Sequence, residues 1–237
     1  MPTNIALAGG EEFRAGCEAM DLDMIRHYGL NAPRVLIIPT AADTAPNRAA
    51  KNGVDYFERL GTDAFDLMIL NKSDANDNEL IHGIHEADII YFTGGNPDHL
   101  LDSLNGTILL KSIQLALKNG AVLAGSSAGA MVLGTFMRRP GLGEWVKGLG
   151  IANNIAVLPH HENSDPEKTA DDLKVGALAT LGTPFVFSAV WQGSEDRTLD
   201  PKRTTVETTI GATAGALFSV GFAGMGELAG RLTRVPR

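Results

Sequence analysis

Short uninterrupted apolar runs, each bounded by Gly, Pro or Asp, recur through the first two-thirds of the chain. They are Asn4–Ala8, Arg34–Pro39, Ala64–Leu70, Asp88–Phe92 and Ala121–Ala124. Runs of this length without polar alternation predict strands buried on both faces. Between them the apolar positions take a helical period. Phe13 to Tyr28 places Phe13, Cys17, Met20, Met24 and Ile25 on one face, and Asn47 to Leu60 does the same with Ala50, Val54, Phe57 and Leu60. Asp98 to Asn119 predicts two helices broken at Asn105-Gly106. Strand and helix alternating in this way predict an α/β fold: a mostly parallel sheet flanked by helices on both faces.

The last third reads differently. After a strand expected over Pro184–Val190, residues 197–237 are rich in Thr, Gly and Ala and show no period of either kind. Residues 1–196 hold 14 basic and 25 acidic residues, whereas 197–237 hold 6 and 3. The expected organisation is one α/β hydrolytic domain over 1–196 and an irregular C-terminal tail over 197–237. Within that tail Ile210 to Ala229 is apolar, but it carries five glycines and Glu227. Little Leu or Ile is present to drive membrane insertion, so a packed small-residue segment is the preferred reading.

Composition narrows the class. The chain has 237 residues, 44% hydrophobic and 20% charged, enough apolar residues for a sizeable core. Its net charge of −8 has the wrong sign for a non-specific nucleic-acid binder. A single cysteine, Cys17, rules out a disulfide framework and a thiolate zinc cluster. The N-terminus lacks a basic start and a long apolar stretch, so a cytoplasmic location is expected.

The strongest chemical signal is Gly125-Ser126-Ser127-Ala128-Gly129, a strict G-x-S-x-G between an apolar strand and a helical pattern. A sharp strand-to-helix turn there lifts the Ser127 hydroxyl above the sheet edge, and the flanking glycines admit close chain passage. Ser127 is the candidate nucleophile and the Ala128 N–H one oxyanion donor. A phosphate loop is disfavoured because no G-K-[ST] follows. A second glycine turn, Thr93-Gly94-Gly95-Asn96-Pro97, ends another buried strand and falls on the same sheet edge. A backbone N–H from Gly94 or Gly95 is the natural second oxyanion donor. Read alone, the turn is an ordinary one in which Asn96-Pro97 opens the next helix.

A serine nucleophile needs a base and an orienting acid. His27, His82 and His85 sit in polar helical surroundings and His99 stands just inside a helix start. His160 and His161 follow the apolar run Ile155–Leu158 at a strand end. The base is assigned to His160, with His161 as its neighbour. For the acid, Glu195 and Asp196 lie one strand further on, and Glu144 and Glu162 are alternatives. No metal or cofactor is expected, since His160-His161-Glu162 lacks ligand spacing such as H-E-x-x-H.

Three stretches together, Thr93–Leu101 (TGGNPDHLL), Ala124–Gly134 (AGSSAGAMVLG) and Val157–His161 (VLPHH), resemble the dipeptidase E and cyanophycinase family of serine peptidases. That family's fold is similar to class I glutamine amidotransferases, with serine in place of cysteine. The resemblance runs from about Asn4 to His161. It implies that Ser127 matches the nucleophile, His160 the base, and Gly95 and Ala128 the oxyanion donors.

The chain departs from the family after the histidine. The family's arginine-containing substrate segment is replaced by Glu162–Lys168, with no Arg before Arg197. Arg138 and Arg139 are substitutes on charge grounds. The family's acid-bearing G-[IL]-D-E-G-T-A stretch is echoed by Gly193–Thr198, so Glu195 or Asp196 matches the acid.

The leading expectation is a serine-type peptidase acting on a small, aspartyl-dipeptide-like substrate. Neither a nucleic-acid nor a membrane partner is expected, and a homodimer is left open. The alternative is a catalytically silent domain of the same fold that binds a small molecule or a partner. Glutamine amidotransfer is the weakest option, because Cys17 is far from the elbow in sequence.

Overall fold

The computed structural model describes residues 4–27, 32–153 and 155–160, and the backbone of the strands 185–189, 205–210 and 217–221. Strands β1 (Asn4–Ala8), β2 (Arg34–Ile38), β3 (Asp63–Asp66), β4 (Ile89–Phe92) and β5 (Val122–Ser126) form one sheet in the order β1-β5-β4-β2-β3. Every pairing in it is parallel. The helices around it are α1 (Glu18–His27), α2 (Pro46–Arg59), α3 (Pro97–Leu104), α4 (Ile108–Lys118) and α5 (Ala128–Leu133).

Two cores explain why the strands read as unbroken apolar runs. Successive side chains of a strand point to opposite faces. Val35, Ile37, Ile89, Tyr91 and Val122 pack with Met24 and Ile25 of α1 and Tyr56 and Phe57 of α2. The intervening Leu36, Ile38, Ile90, Phe92 and Leu123 pack with Leu100 and Leu104 of α3, Ile113 of α4 and Val132 of α5. Both faces are covered, so neither set can be polar. The expected parallel α/β architecture is the one observed.

Helix α1 begins at Glu18, later than the periodicity predicts. Phe13 lies instead in a loop where Gly10, Glu11, Phe13 and Gly16 all have positive φ. Its ring still packs against Tyr56 and Tyr91, with centroids 5.6 and 5.3 Å away, so a loop residue satisfies the apolar position that a helix was expected to fill. Met20 points outward, 41% exposed. The break between α3 and α4 falls where expected, and Thr107 caps α4 by accepting from the Leu110 N–H at 3.3 Å. Strand β3 is shorter than the apolar run 64–70. Beyond it Ile69 lends its carbonyl to the Thr40 hydroxyl at 2.5 Å.

Beyond α5, β6 (Phe136–Arg138) and β7 (Trp145–Lys147) pair antiparallel. Strand β8 (Ile155–Leu158) pairs in parallel with β9 (Phe185–Ala189). Strands β10 (Thr205–Ile210) and β11 (Leu217–Gly221) extend this second sheet in the antiparallel sense, in the order β11-β10-β9-β8. Two parts of the tail expected to be irregular are therefore strands. Thr205, Val206, Thr208, Thr209 and Ile210 supply the β-branched residues that suit a pleated surface. The division expected at residue 196 lies outside the described residues. Among the described residues no helix is long and apolar enough to cross a membrane.

One buried charge makes the fold sensitive to pH. Asp21 of α1 is 1% exposed and accepts a hydrogen bond from the Tyr56 hydroxyl at 2.7 Å. Burial pushes its carboxyl up to about 6, against a smaller downward pull from Tyr56. Below about pH 4 the group is protonated both folded and unfolded. Between about pH 4 and 6 only the folded chain holds the proton, so stability falls as pH rises through this window. The loss is on the order of 3 kcal/mol and persists above it. Asp21→Asn, neutral and nearly isosteric, should flatten that slope. Thermal melts at intervals from pH 4 to 7 check it, and a slope unchanged in the variant would exclude Asp21 as the source.

Candidate active site

The ends of parallel strands share one edge of the sheet, and the chemistry gathers there. Strand β5 runs into α5 through Ser127, whose φ of +47° and ψ of −108° are strained for a residue with a side chain. Close packing makes the turn possible. A Cβ on Gly125 would lie 2.5 Å from the Gly129 carbonyl carbon, and one on Gly129 would lie 2.4 Å from the Phe92 oxygen. The Ser127 N–H donates to the Ala8 carbonyl at 3.0 Å, and the Met131 N–H closes the first turn on the Ser127 carbonyl at 2.9 Å.

His160 follows β8 and also has positive φ, +55°. Its backbone N–H donates to the Gly9 carbonyl at 3.0 Å. The end of β1 therefore anchors both residues through consecutive carbonyls. Their side chains meet, with Ser127 Oγ 3.0 Å from His160 Nε2. Both line a cleft of about 420 Å³ together with Gly94 and Gly95. A cavity of this size suits a small ligand.

The other expected residues are placed as follows. Ala128 is the first residue of α5, where a backbone N–H has no partner within the helix. Gly94 donates its N–H to Glu12 Oε1 at 2.7 Å, which leaves Gly95 as the open donor of that turn. Asn96 caps α3: its Oδ1 accepts from the His99 N–H at 3.2 Å, and its Nδ2 donates to Asp43 at 2.9 Å. His99 itself bonds the Leu70 carbonyl at 2.8 Å. Glu144 is exposed beside β7 and does not line the cleft. His161, Glu162, Glu195 and Asp196 lie outside the described residues.

Arg138 and Arg139 are not the guanidinium groups of the cleft. Arg139 pairs with Asp98 at 2.9 Å, and the Arg138 guanidinium lies against Gly143. Arg14 and Arg48 line the cleft instead. Arg14 is paired with Glu11 at 2.5 Å, whereas Arg48, on the first turn of α2, is exposed and has no acidic partner among the described residues. Cys17 is no rival nucleophile. Its thiol donates to the Glu11 carbonyl at 3.0 Å, and burial with nearby Asp21 pushes it up to about 11.

The sequence reading missed Glu12. Its carboxylate accepts from the Gly94 N–H and, at 2.8 Å, from the hydroxyl of the fully buried Ser126. It thereby ties the loop after β1 to the ends of β4 and β5. The signal was the acidic pair that directly follows Gly9-Gly10 at a strand end.

The sequence model of peptidase family S51 matches residues 5–176. The chain belongs to this family. Among solved structures, this S51 chain is similar to a peptidase from an acI-B1 Actinobacterium. The two share 26% identity and a TM-score of 0.68, over 92% of this chain and 86% of that one. A peptidase E-like protein from Listeria monocytogenes EGD-e is 18% identical with a TM-score of 0.57, over 93% and 99% of the two chains, a likeness of fold. No curated protein matches the chain in sequence. The family expected from the three sequence stretches is the one found, and the chain is of the peptidase type.

Proposed function

We propose that this S51 chain is a serine-type peptidase that hydrolyses small peptides through an acyl-enzyme on Ser127. The observation that carries the reading is the 3.0 Å approach of Ser127 Oγ and His160 Nε2 on a strained elbow facing a cleft. In this scheme His160 takes the hydroxyl proton as Oγ attacks the scissile carbonyl carbon. The oxyanion formed is received by the Gly95 and Ala128 N–H groups. The C–N bond then breaks as His160 returns the proton to the leaving amine, and water, deprotonated by the same imidazole, releases the acid and frees Ser127. The orienting acid is assigned to Glu195 or Asp196 on the family resemblance, since Glu144 is exposed and does not line the cleft.

A fluorophosphonate probe tests the reading directly. It should label the wild-type chain stoichiometrically and Ser127→Ala not at all. A folded wild-type chain that takes no label would favour the silent binding domain.

The finer assignment is an acidic, aspartyl-type substrate. It is supported by Arg48, a guanidinium on the cleft wall without an acidic partner among the described residues. Charge-assisted bonds of this kind contribute about 1.5–3 kcal/mol. Arg48→Ala should therefore raise KM for an aspartyl dipeptide about tenfold, while an asparaginyl counterpart changes little. Equal changes for the two substrates in steady-state assays would remove Arg48 from substrate selection.

A further inference from the structure

The loop after β1 places one carboxylate in the cleft in an unusual electrostatic setting. Glu12 is half-buried, and both of its oxygens are held by neutral donors, the Gly94 N–H at 2.7 Å and the Ser126 hydroxyl at 2.8 Å. No lysine, arginine or histidine nitrogen among the described residues lies within ion-pair distance of it. Arg14, two residues on, is committed to Glu11. An ionised carboxylate offers about four acceptor sites, so two hydrogen bonds leave each oxygen able to accept again. Those open acceptor sites line the cleft, where a cationic donor can take them.

Position indicates which cation. Ser126 directly precedes the nucleophile, and Gly94 directly precedes Gly95, a proposed oxyanion donor. Glu12 therefore touches the residues adjoining the two groups that handle the scissile carbonyl. In a peptide with a free amino terminus, the α-ammonium is separated from its own carbonyl carbon only by Cα. A carboxylate that lines the same cleft and bonds the residues adjoining both of those groups is placed on the side where such an ammonium would lie.

We propose that Glu12 is a specificity residue that receives the α-ammonium of the substrate residue whose carbonyl Ser127 attacks. This rests on the serine-peptidase reading above. It makes the chain a reader of free amino termini, with Glu12 supplying the charge. The hydrogen bonds to Gly94 and Ser126 hold the carboxylate still, so little side-chain ordering remains to oppose binding.

The test uses the dipeptide that the full chain hydrolyses fastest in a dipeptide library, together with its N-acetyl counterpart. Glu12→Gln removes the charge but can still accept from Gly94 and donate to the Ser126 hydroxyl. Wild type should favour the free amine. In Glu12→Gln the ratio of the two kcat/KM values should fall on the order of a hundredfold, with the loss entering through KM for the free amine. Glu12→Asp should recover part of it. A role in merely shaping the Gly94-Gly95 turn would lower both substrates together and leave the ratio unchanged, which overturns the proposal. So would a wild type that hydrolyses both substrates equally, with Ser127 still labelled by the probe. A wild type that neither hydrolyses any peptide nor takes the label removes the serine-peptidase reading, and Glu12's role with it.

Discussion

Ser127→Ala should lower peptide turnover about a millionfold and leave the fold intact. The size of the loss follows from what the residue supplies: without Oγ there is no acyl-enzyme, and removing a serine nucleophile from a hydrolase typically removes nearly all of its rate advantage. The preserved fold follows from the local structure. The Ser127 side chain bonds His160, while the turn is held by the backbone bonds of Ser127 to Ala8 and Met131. The same geometry makes Ser127→Gly informative. A φ of +47° strains any residue bearing a Cβ, by on the order of 1–3 kcal/mol, and glycine escapes that strain. Ser127→Gly should thus be inactive yet melt higher than Ser127→Ala. Initial rates on a dipeptide and thermal melts of both variants check the pair. Turnover within tenfold of wild type in either one would exclude Ser127 as the nucleophile.

The sheet was legible because its physics is local and repetitive. A strand buried on both faces must be apolar where the helices cover it, and β4, Val35–Ile38 of β2 and Val122–Ala124 of β5 obey that rule. The elbow was legible for a similar reason: few sequences fit a turn where Phe92 and the Gly129 backbone pass so close. Phe13 was misread because periodicity reports which residues are buried, not the backbone that carries them there. Its ring reaches the α2 core from a loop of positive φ. Glu12 was not foreseen because its importance comes from three strand ends separated widely in sequence. Nothing near residue 12 announces Gly94 or Ser126. The cleft arginine is a like case. Arg138 and Arg139 are nearest the elbow in sequence, but the chain turns away into β6, and Arg48 reaches the cleft from the far side of the sheet order.

His160→Ala should match Ser127→Ala in severity, about a millionfold, and combining the two should add almost nothing. The reason is that the two side chains act as one unit: a serine hydroxyl is a weak nucleophile until a base within hydrogen-bond reach accepts its proton. The imidazole is also held from behind. A Cβ on Gly10 would fall 2.3 Å from His160 Cε1 and 2.7 Å from Nδ1, and Gly10 has a φ of +142° that suits glycine. Gly10→Ala must therefore displace the ring or the loop, and a misplacement near 1 Å is worth roughly a hundredfold in rate. The four variants should form a series, with Gly10→Ala intermediate and His160→Ala, Ser127→Ala and the double variant Ser127→Ala/His160→Ala at the floor. Single-turnover acylation rates measure the series without interference from product release. Additive losses in the double variant would mean that Ser127 and His160 serve separate steps, and the 3.0 Å contact between them would have to be read as structural.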